Sequence, residues 1–256
     1  MTDPTPAAGA PTVLLVHGAF ADGSSWARVI ERLQAAGVGV RALANPLRGL
    51  AADSAYVASA IDQTPGPVLA VGHSYGGAVI TNAATKANAI KANHVVGLVY
   101  VAAFAPEESQ TVKDIVDSSG ESKLGHPGVL HPEPYPTGQG SETKMELTVD
   151  PASFREVVAG DLPAEEAAVL GAAQRPIADA ANVEKSGPPA WKREDLRARV
   201  WAVVATNDKA AGSDVVRSMA ERAGADIVEV EGSHVIMISQ PEAVTDVILR
   251  AVRAVS

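Results

Sequence analysis

Five residues, Thr12 to Val16, are apolar or β-branched and run without interruption into His17-Gly18. A strand buried on both faces reads this way, because neither face has to meet water. Beyond it the period changes. Trp26, Val29, Ile30 and Leu33 fall at helical spacing behind Ser24-Ser25, either of which can cap a helix, and Gly37 stops it. This alternation recurs along the chain. Further strands are predicted over 38–44, 67–71, 95–102, 199–205 and 226–230. Further helices are predicted over 53–62, 78–92, 214–223 and 241–255, the last opened by Pro241 at its first turn. Strands separated by helices need crossover connections, so the pattern implies α/β architecture: a mostly parallel sheet of about six strands with helices on both faces.

The regularity breaks between 106 and 196. Nine of the 22 residues in 119–140 are Gly or Pro, and the whole segment carries 17 acidic against 8 basic residues. The chain's net charge of −9 therefore falls there, while the rest is balanced. This has the character of an insertion in a regular scaffold formed by 12–105 and 197–256.

Composition removes several function classes. The 46% of hydrophobic residues suffices for a sizeable core, yet no apolar run approaches the roughly 18 residues that span a bilayer. Without cysteine there are no disulfides, thiol nucleophiles or thiolate metal sites. A pI near 5.1 suits a phosphate backbone poorly, so no nucleic-acid partner is expected. The first eleven residues carry Asp3 where a secretion signal needs basic residues, and no apolar stretch follows them. They are expected to form a flexible tail on a cytoplasmic protein.

In open parallel sheets the chemistry lies beyond the carboxyl ends of the strands. The third predicted strand ends in Gly72-His73-Ser74-Tyr75-Gly76-Gly77. Gly-x-Ser-x-Gly alone is weakly specific, but here it stands between a buried strand and an Ala-rich helix. That is the sharp turn a nucleophile elbow needs, with small residues at its crowded positions and the Ser hydroxyl beside a helix N-terminus. Neither the Gly-x-Gly-x-x-Gly of a dinucleotide site nor the Gly-Lys-Ser/Thr of a phosphate loop is present.

A serine hydroxyl needs a base. Of six histidines, His234 lies on a loop beyond the sixth strand, in Val230-Glu-Gly-Ser-His. His17 and His73 read as hydrogen-bonded packing beneath the site, His94 lies at the far edge of the sheet, and His126 and His131 read as solvated loop residues. For the acid that orients the imidazole, Asp208 follows the fifth strand in Thr206-Asn-Asp, with Glu107 and Glu108 as competitors and Asp214 as a helix opener. Two N–H donors for a developing oxyanion are expected from Tyr75 and from Ala19, with Phe20 the alternative to Ala19.

These motifs, together with Trp26 and Ala102-Ala-Phe-Ala-Pro106, resemble the α/β-hydrolase superfamily, in particular its small esterase and hydroxynitrile-lyase-like group. The resemblance covers nearly all of 12–255. It implies the α/β-hydrolase fold, a Ser74–His234–Asp208 triad, no metal or organic cofactor, and a cap formed by 106–196. It also implies that the two antiparallel strands usual at the N-terminus are missing. Haloalkane dehalogenases place Asp where this chain has Ser74, and the lyases have Lys where it has Val235. Cofactor-free haloperoxidases and perhydrolases share the triad and stay open, as does a non-catalytic small-molecule receptor on this scaffold. The leading expectation is a carboxylic ester hydrolase, monomeric or homodimeric. It would take small, neutral and mainly apolar esters, with Phe20, Tyr75 and Trp191 against the substrate. The acidic cap would disfavour anions.

Overall fold

The computed structural model of the protein describes residues 10–86 and 94–256. In chain order the first part runs β1 (Thr12–Val16), α1 (Ala27–Ala35), β2 (Val40–Leu43), α2 (Leu50–Gln63), β3 (Val68–His73), α3 (Tyr75–Lys86) and β4 (Val95–Val101). The segment that follows holds α4 (Val112–Ser118), β5 (Leu130–Pro136), β6 (Thr143–Val149), α5 (Pro151–Val158), α6 (Ala164–Ala173), β7 (Ile177–Ala178) and α7 (Ala180–Val183). The chain then returns through β8 (Val200–Ala205), α8 (Ser213–Arg222), β9 (Asp226–Val230), α9 (Ile236–Ser239) and α10 (Pro241–Val255).

Six strands form one sheet in the order β2-β1-β3-β4-β8-β9, and every pairing in it is parallel. The uninterrupted apolar runs follow from this arrangement. Leu14, Val16, Ala70, Leu98, Tyr100 and Ala202 join one core with α2, α3 and α8. Their alternate neighbours Val13, Leu15, Val71, Val99, Val101 and Val203 join a second core with α1 and α10. The fold is the α/β-hydrolase fold, as the resemblance implied.

Several boundaries move. A 3-10 turn (Gly23–Trp26) precedes α1, and its cap is Asp22, which accepts from the Ser24 N–H at 2.7 Å, rather than Ser24 or Ser25. The helix α2 starts three residues early, behind Gly49 in the left-handed region (φ 156°). The helix α3 starts directly after Ser74, at Tyr75 instead of at Ala78; its expected end at Ala92 lies outside the described residues, as do 1–9 of the expected tail.

The Gly/Pro-rich stretch is more ordered than it reads. β5, β6 and β7 form a three-stranded antiparallel sheet, with β5 as an edge strand. Pro132, Pro134 and Pro136 occupy alternate positions of β5, where missing N–H groups can face solvent without breaking the ladder. His131 is consequently a strand residue, with Nε2 3.1 Å from Asp150, and not a loop residue.

Glycine makes the centre of the fold possible. A Cβ at Gly76 would stand 2.3 Å from the Val16 carbonyl oxygen, and one at Gly72 would stand 2.6 Å from the Gly76 backbone. A Cβ at Gly18 would meet the Ser74 Cβ at 2.5 Å. The end of β1, the end of β3 and the start of α3 therefore touch backbone to backbone. Two buried histidines fasten this region. His17 accepts from the Asn45 N–H at 3.0 Å and donates from Nδ1 to the Gly18 carbonyl. His73 donates from Nε2 to the His234 carbonyl at 2.9 Å. Burial lowers the pKa of both, and that of His73 falls well below the ordinary histidine range.

Gly76→Ala should cost at least about 2 kcal/mol, because rigid backbone must give way to the new methyl group. Gly120→Ala, whose Cβ would meet nothing closer than 3.7 Å, should cost less than about 0.5 kcal/mol. Urea unfolding of the two variants beside the parent protein tests the contrast, and equal losses would contradict it. The histidines set a pH dependence. Both are neutral when folded, whereas the unfolded chain binds their protons below about pH 6.5. Stability should therefore fall as pH drops from 7.5 to 5.5, by roughly 1–3 kcal/mol for the two together. Unchanged urea midpoints across that interval would show that neither ring is held neutral.

Candidate active site

Ser74 sits between β3 and α3 with φ 52°, a left-handed conformation that costs a non-glycine residue energy. Its backbone is over-determined. The Ser74 N–H donates to Val101, and its carbonyl accepts from Phe104 and Gly77. The strain aims the side chain out of the turn, toward the carboxyl ends of the strands.

Three predicted residues meet there. The Ser74 hydroxyl lies 2.8 Å from His234 Nε2, and His234 Nδ1 lies 2.8 Å from Asp208 Oδ2. All three are buried. The remaining Asp208 oxygen accepts from the Ala210 and Ala211 N–H groups, each at 2.9 Å. Since a carboxylate can only accept, Nδ1 carries the proton, and Nε2 is left to accept from the serine. The competing Glu107 and the expected helix opener Asp214 are both engaged away from His234. Glu107 pairs with Lys192 and Arg222, and Asp214 takes the Ser119 hydroxyl and the Gly120 N–H at the start of α8.

The His234 loop has a support that the sequence reading missed. Asp161, between α5 and α6, accepts from the Ser233 N–H at 3.0 Å and from the Ser233 hydroxyl. Burial alone would raise the Asp161 pKa, but hydrogen bonds led by Ser233 bring it below the usual carboxylate range. No local pattern betrays this residue, because its partner lies 72 positions away. A fully buried carboxylate was missed as well. Asp53 of α2 accepts the Tyr75 hydroxyl at 2.8 Å and the Arg48 N–H at 3.1 Å. Burial raises the pKa of both Asp53 and Tyr75.

A cavity of about 350 Å³ opens above the triad. Ala19, Phe20, Ser74, Tyr75, Phe104 and His234 form its floor; Val112, Val116, Leu124, Leu130, Leu147 and Ile177 enclose it from the 106–196 segment. Lys113, Asp117, His126 and Asp179 bring polar groups to its lining. His126 is exposed, as a solvated residue should be, yet it belongs to this wall.

Of the expected substrate contacts, Phe20 and Tyr75 do line the cavity, although the Tyr75 hydroxyl is committed to Asp53. Trp191 does not. It sits in a 3-10 turn (Ala190–Lys192), 5% exposed, in the core that contains α3, and it is absent from the cavity wall. Core packing explains its apolar ring, and the substrate assignment is withdrawn. Among the described residues no group of three or more His, Asp or Glu side chains could hold a metal ion, and no helix is long and apolar enough to cross a membrane.

Solved structures with this fold include a methylesterase from Arabidopsis (18% identity, 95% of this chain and 99% of that one covered, TM-score 0.74). Tomato methylketone synthase I bound to 2-tridecanone is similar at 21% identity, with 96% and 99% covered and a TM-score of 0.76. A pyrethroid hydrolase from Sphingobium faniae is similar at 22% identity, with 95% and 98% covered and a TM-score of 0.74. No curated protein sequence matches this chain. The model of the alpha/beta hydrolase family matches residues 13–247, nearly the whole of the predicted scaffold and the segment inserted in it. This chain belongs to the alpha/beta hydrolase family.

Proposed function

We propose that the protein is a serine hydrolase that cleaves small, mainly apolar carboxylic esters through an acyl-enzyme. The observation that carries this reading is the hydrogen-bonded line Ser74–His234–Asp208 at the floor of a cavity walled in large part by apolar residues. His234 Nε2 takes the Ser74 proton as the oxygen attacks the ester carbonyl, and Asp208 stabilises the imidazolium that results. The Ala19 and Tyr75 amides are the oxyanion donors in this reading. His234 then gives its proton to the departing alcohol. Water, deprotonated by the same nitrogen, attacks the acyl carbon, and Ser74 leaves with the proton. The part of the wall formed by Leu124, Leu147 and Ile177 suits neutral apolar acyl groups. The segment 106–196 acts as the cap that gives this wall its shape. The resemblances to a methylesterase and a pyrethroid hydrolase support ester hydrolysis as the chemistry.

The acyl-enzyme predicts a burst of alcohol in the first turnover. Ser74→Ala should abolish the burst and most of kcat while leaving the fold intact, and wild-type turnover in that variant would refute the nucleophile. Asp208→Asn should lose roughly 10³–10⁴ in kcat, because the amide favours the wrong imidazole tautomer. Steady-state kinetics on a chromogenic ester read this. Full activity in Asp208→Asn would remove Asp208 from the mechanism.

A further inference from the structure

The loop that leads into α2 bends twice into the left-handed region, at Leu47 (φ 60°) and Gly49 (φ 156°). The 106–196 segment holds it from one side. The Leu47 carbonyl accepts from the Ala178 N–H at 2.9 Å, and Glu184 accepts from the Ala51 N–H at 2.9 Å. The Arg48 guanidinium pairs with Glu146 at 2.5 Å and stands over the Tyr135 ring. From the other side the fully buried Asp53 accepts from the Arg48 N–H with both carboxylate oxygens, at 3.1 and 3.2 Å, and from the Gly49 N–H at 3.4 Å. Those bonds would suffice to close the turn. Yet the shortest bond of the Asp53 carboxylate, 2.8 Å, goes to the Tyr75 hydroxyl on α3.

We propose that Asp53 is a positioning residue for the oxyanion hole: its hold on the Tyr75 hydroxyl fixes where the Tyr75 N–H points. The inference rests on the serine-hydrolase reading, in which that N–H is one of two oxyanion donors, and goes beyond it. Tyr75 is held at both ends. Its backbone follows Ser74 in the strained turn and opens α3, so no preceding helical carbonyl takes its N–H. Among the described residues nothing accepts that N–H, which leaves it to donate beyond the turn. At the other end the hydroxyl donates to a buried carboxylate, and Tyr75 itself is 1% exposed. Breaking a charge-assisted bond there would strip the carboxylate of a donor where water cannot replace it. The ring that joins the two ends is rigid and packed in the core with α2 and α3, so the bond limits how far the Tyr75 backbone can turn. An oxyanion donor acts by being aimed before the charge develops, and Asp53 supplies that aim from a different helix.

Kinetics on a chromogenic ester separate positioning from structural support. Tyr75→Phe keeps the ring and the amide and removes the bond to Asp53. It should lower kcat about tenfold or more, short of the roughly 10²–10³ that loss of a whole donor costs. KM should stay within about twofold, because acylation and deacylation both pass through the oxyanion. Asp53→Asn, which weakens the bond without deleting it, should fall between that variant and the parent protein. Added to Tyr75→Phe, it should lower kcat by less than about twofold further, since the bond is already gone. A trifluoromethyl ketone, which forms an anionic hemiketal with a serine, should lose affinity in proportion to the loss of kcat/KM. The acid limb of the kcat/KM profile, which reports the base, should not move. Parent kcat in Tyr75→Phe, even with a lowered urea midpoint, makes the bond structural and overturns the proposal. A loss that multiplies in the double variant, an unchanged inhibitor affinity or a displaced acid limb overturns it too. Hydrolysis that survives Ser74→Ala overturns instead the serine-hydrolase reading beneath it.

Discussion

Three pieces of backbone converge on one point, and the rest of the structure is arranged to let them. The ends of β1 and β3 and the first turn of α3 come so close at Ser74 that no side chain fits between them. A Cβ at Gly72, Gly76 or Gly18 would stand 2.3–2.6 Å from atoms already present. The convergence forces Ser74 into the left-handed region. Such strain persists only where the surroundings over-determine it. Here the bonds to Val101, Phe104 and Gly77 supply that determination, and they draw the loop after β4 into the same construction. The strained turn lifts a hydroxyl above the sheet edge.

The imidazole of His234 reaches the same point by a different means. His234 comes from a loop after the last strand, and it is positioned from several sides at once. Asp208 holds Nδ1, His73 donates to its backbone carbonyl, and Asp161 holds its neighbour Ser233. The ring of His73 also lies against that of His234, with centroids 4.7 Å apart. Two adjacent imidazoles could not both carry charge at low cost, and burial holds His73 neutral. The neighbour of Ser74 thus serves His234, as a neutral donor to its backbone.

The scaffold was legible because both faces of its sheet are buried. Runs such as Val13 to Val16 and Val68 to Val71 divide residue by residue between two cores, and continuous hydrophobicity is the sign of that division. Ser74, His234 and Asp208 were legible because each follows a recognisable strand end. The start of α3 was hidden, since Gly76-Gly77 opposes helix by propensity and tertiary contact overrules it. The hairpin of β5 and β6 was hidden by prolines that only an edge strand tolerates. Asp53 and Asp161 were hidden because each acts through partners distant in sequence. Trp191 misled for the opposite reason: a large apolar ring near the end of the insertion satisfies a core as readily as a pocket.

Asp161 also ties the insertion to the chemistry. The segment 106–196 supplies much of the wall of the main cavity, and through Asp161 it takes hold of the loop that carries His234. A shift of α5 and α6 would therefore reach the loop that carries His234. A carboxylate with charge-assisted bonds to a backbone N–H and a hydroxyl resists such a shift more than apolar contacts alone would. An insertion that only covered a finished active site would need no such tether. This one is fastened to the loop that sets the imidazole, so the shape of the covering and the position of the base are a single mechanical property.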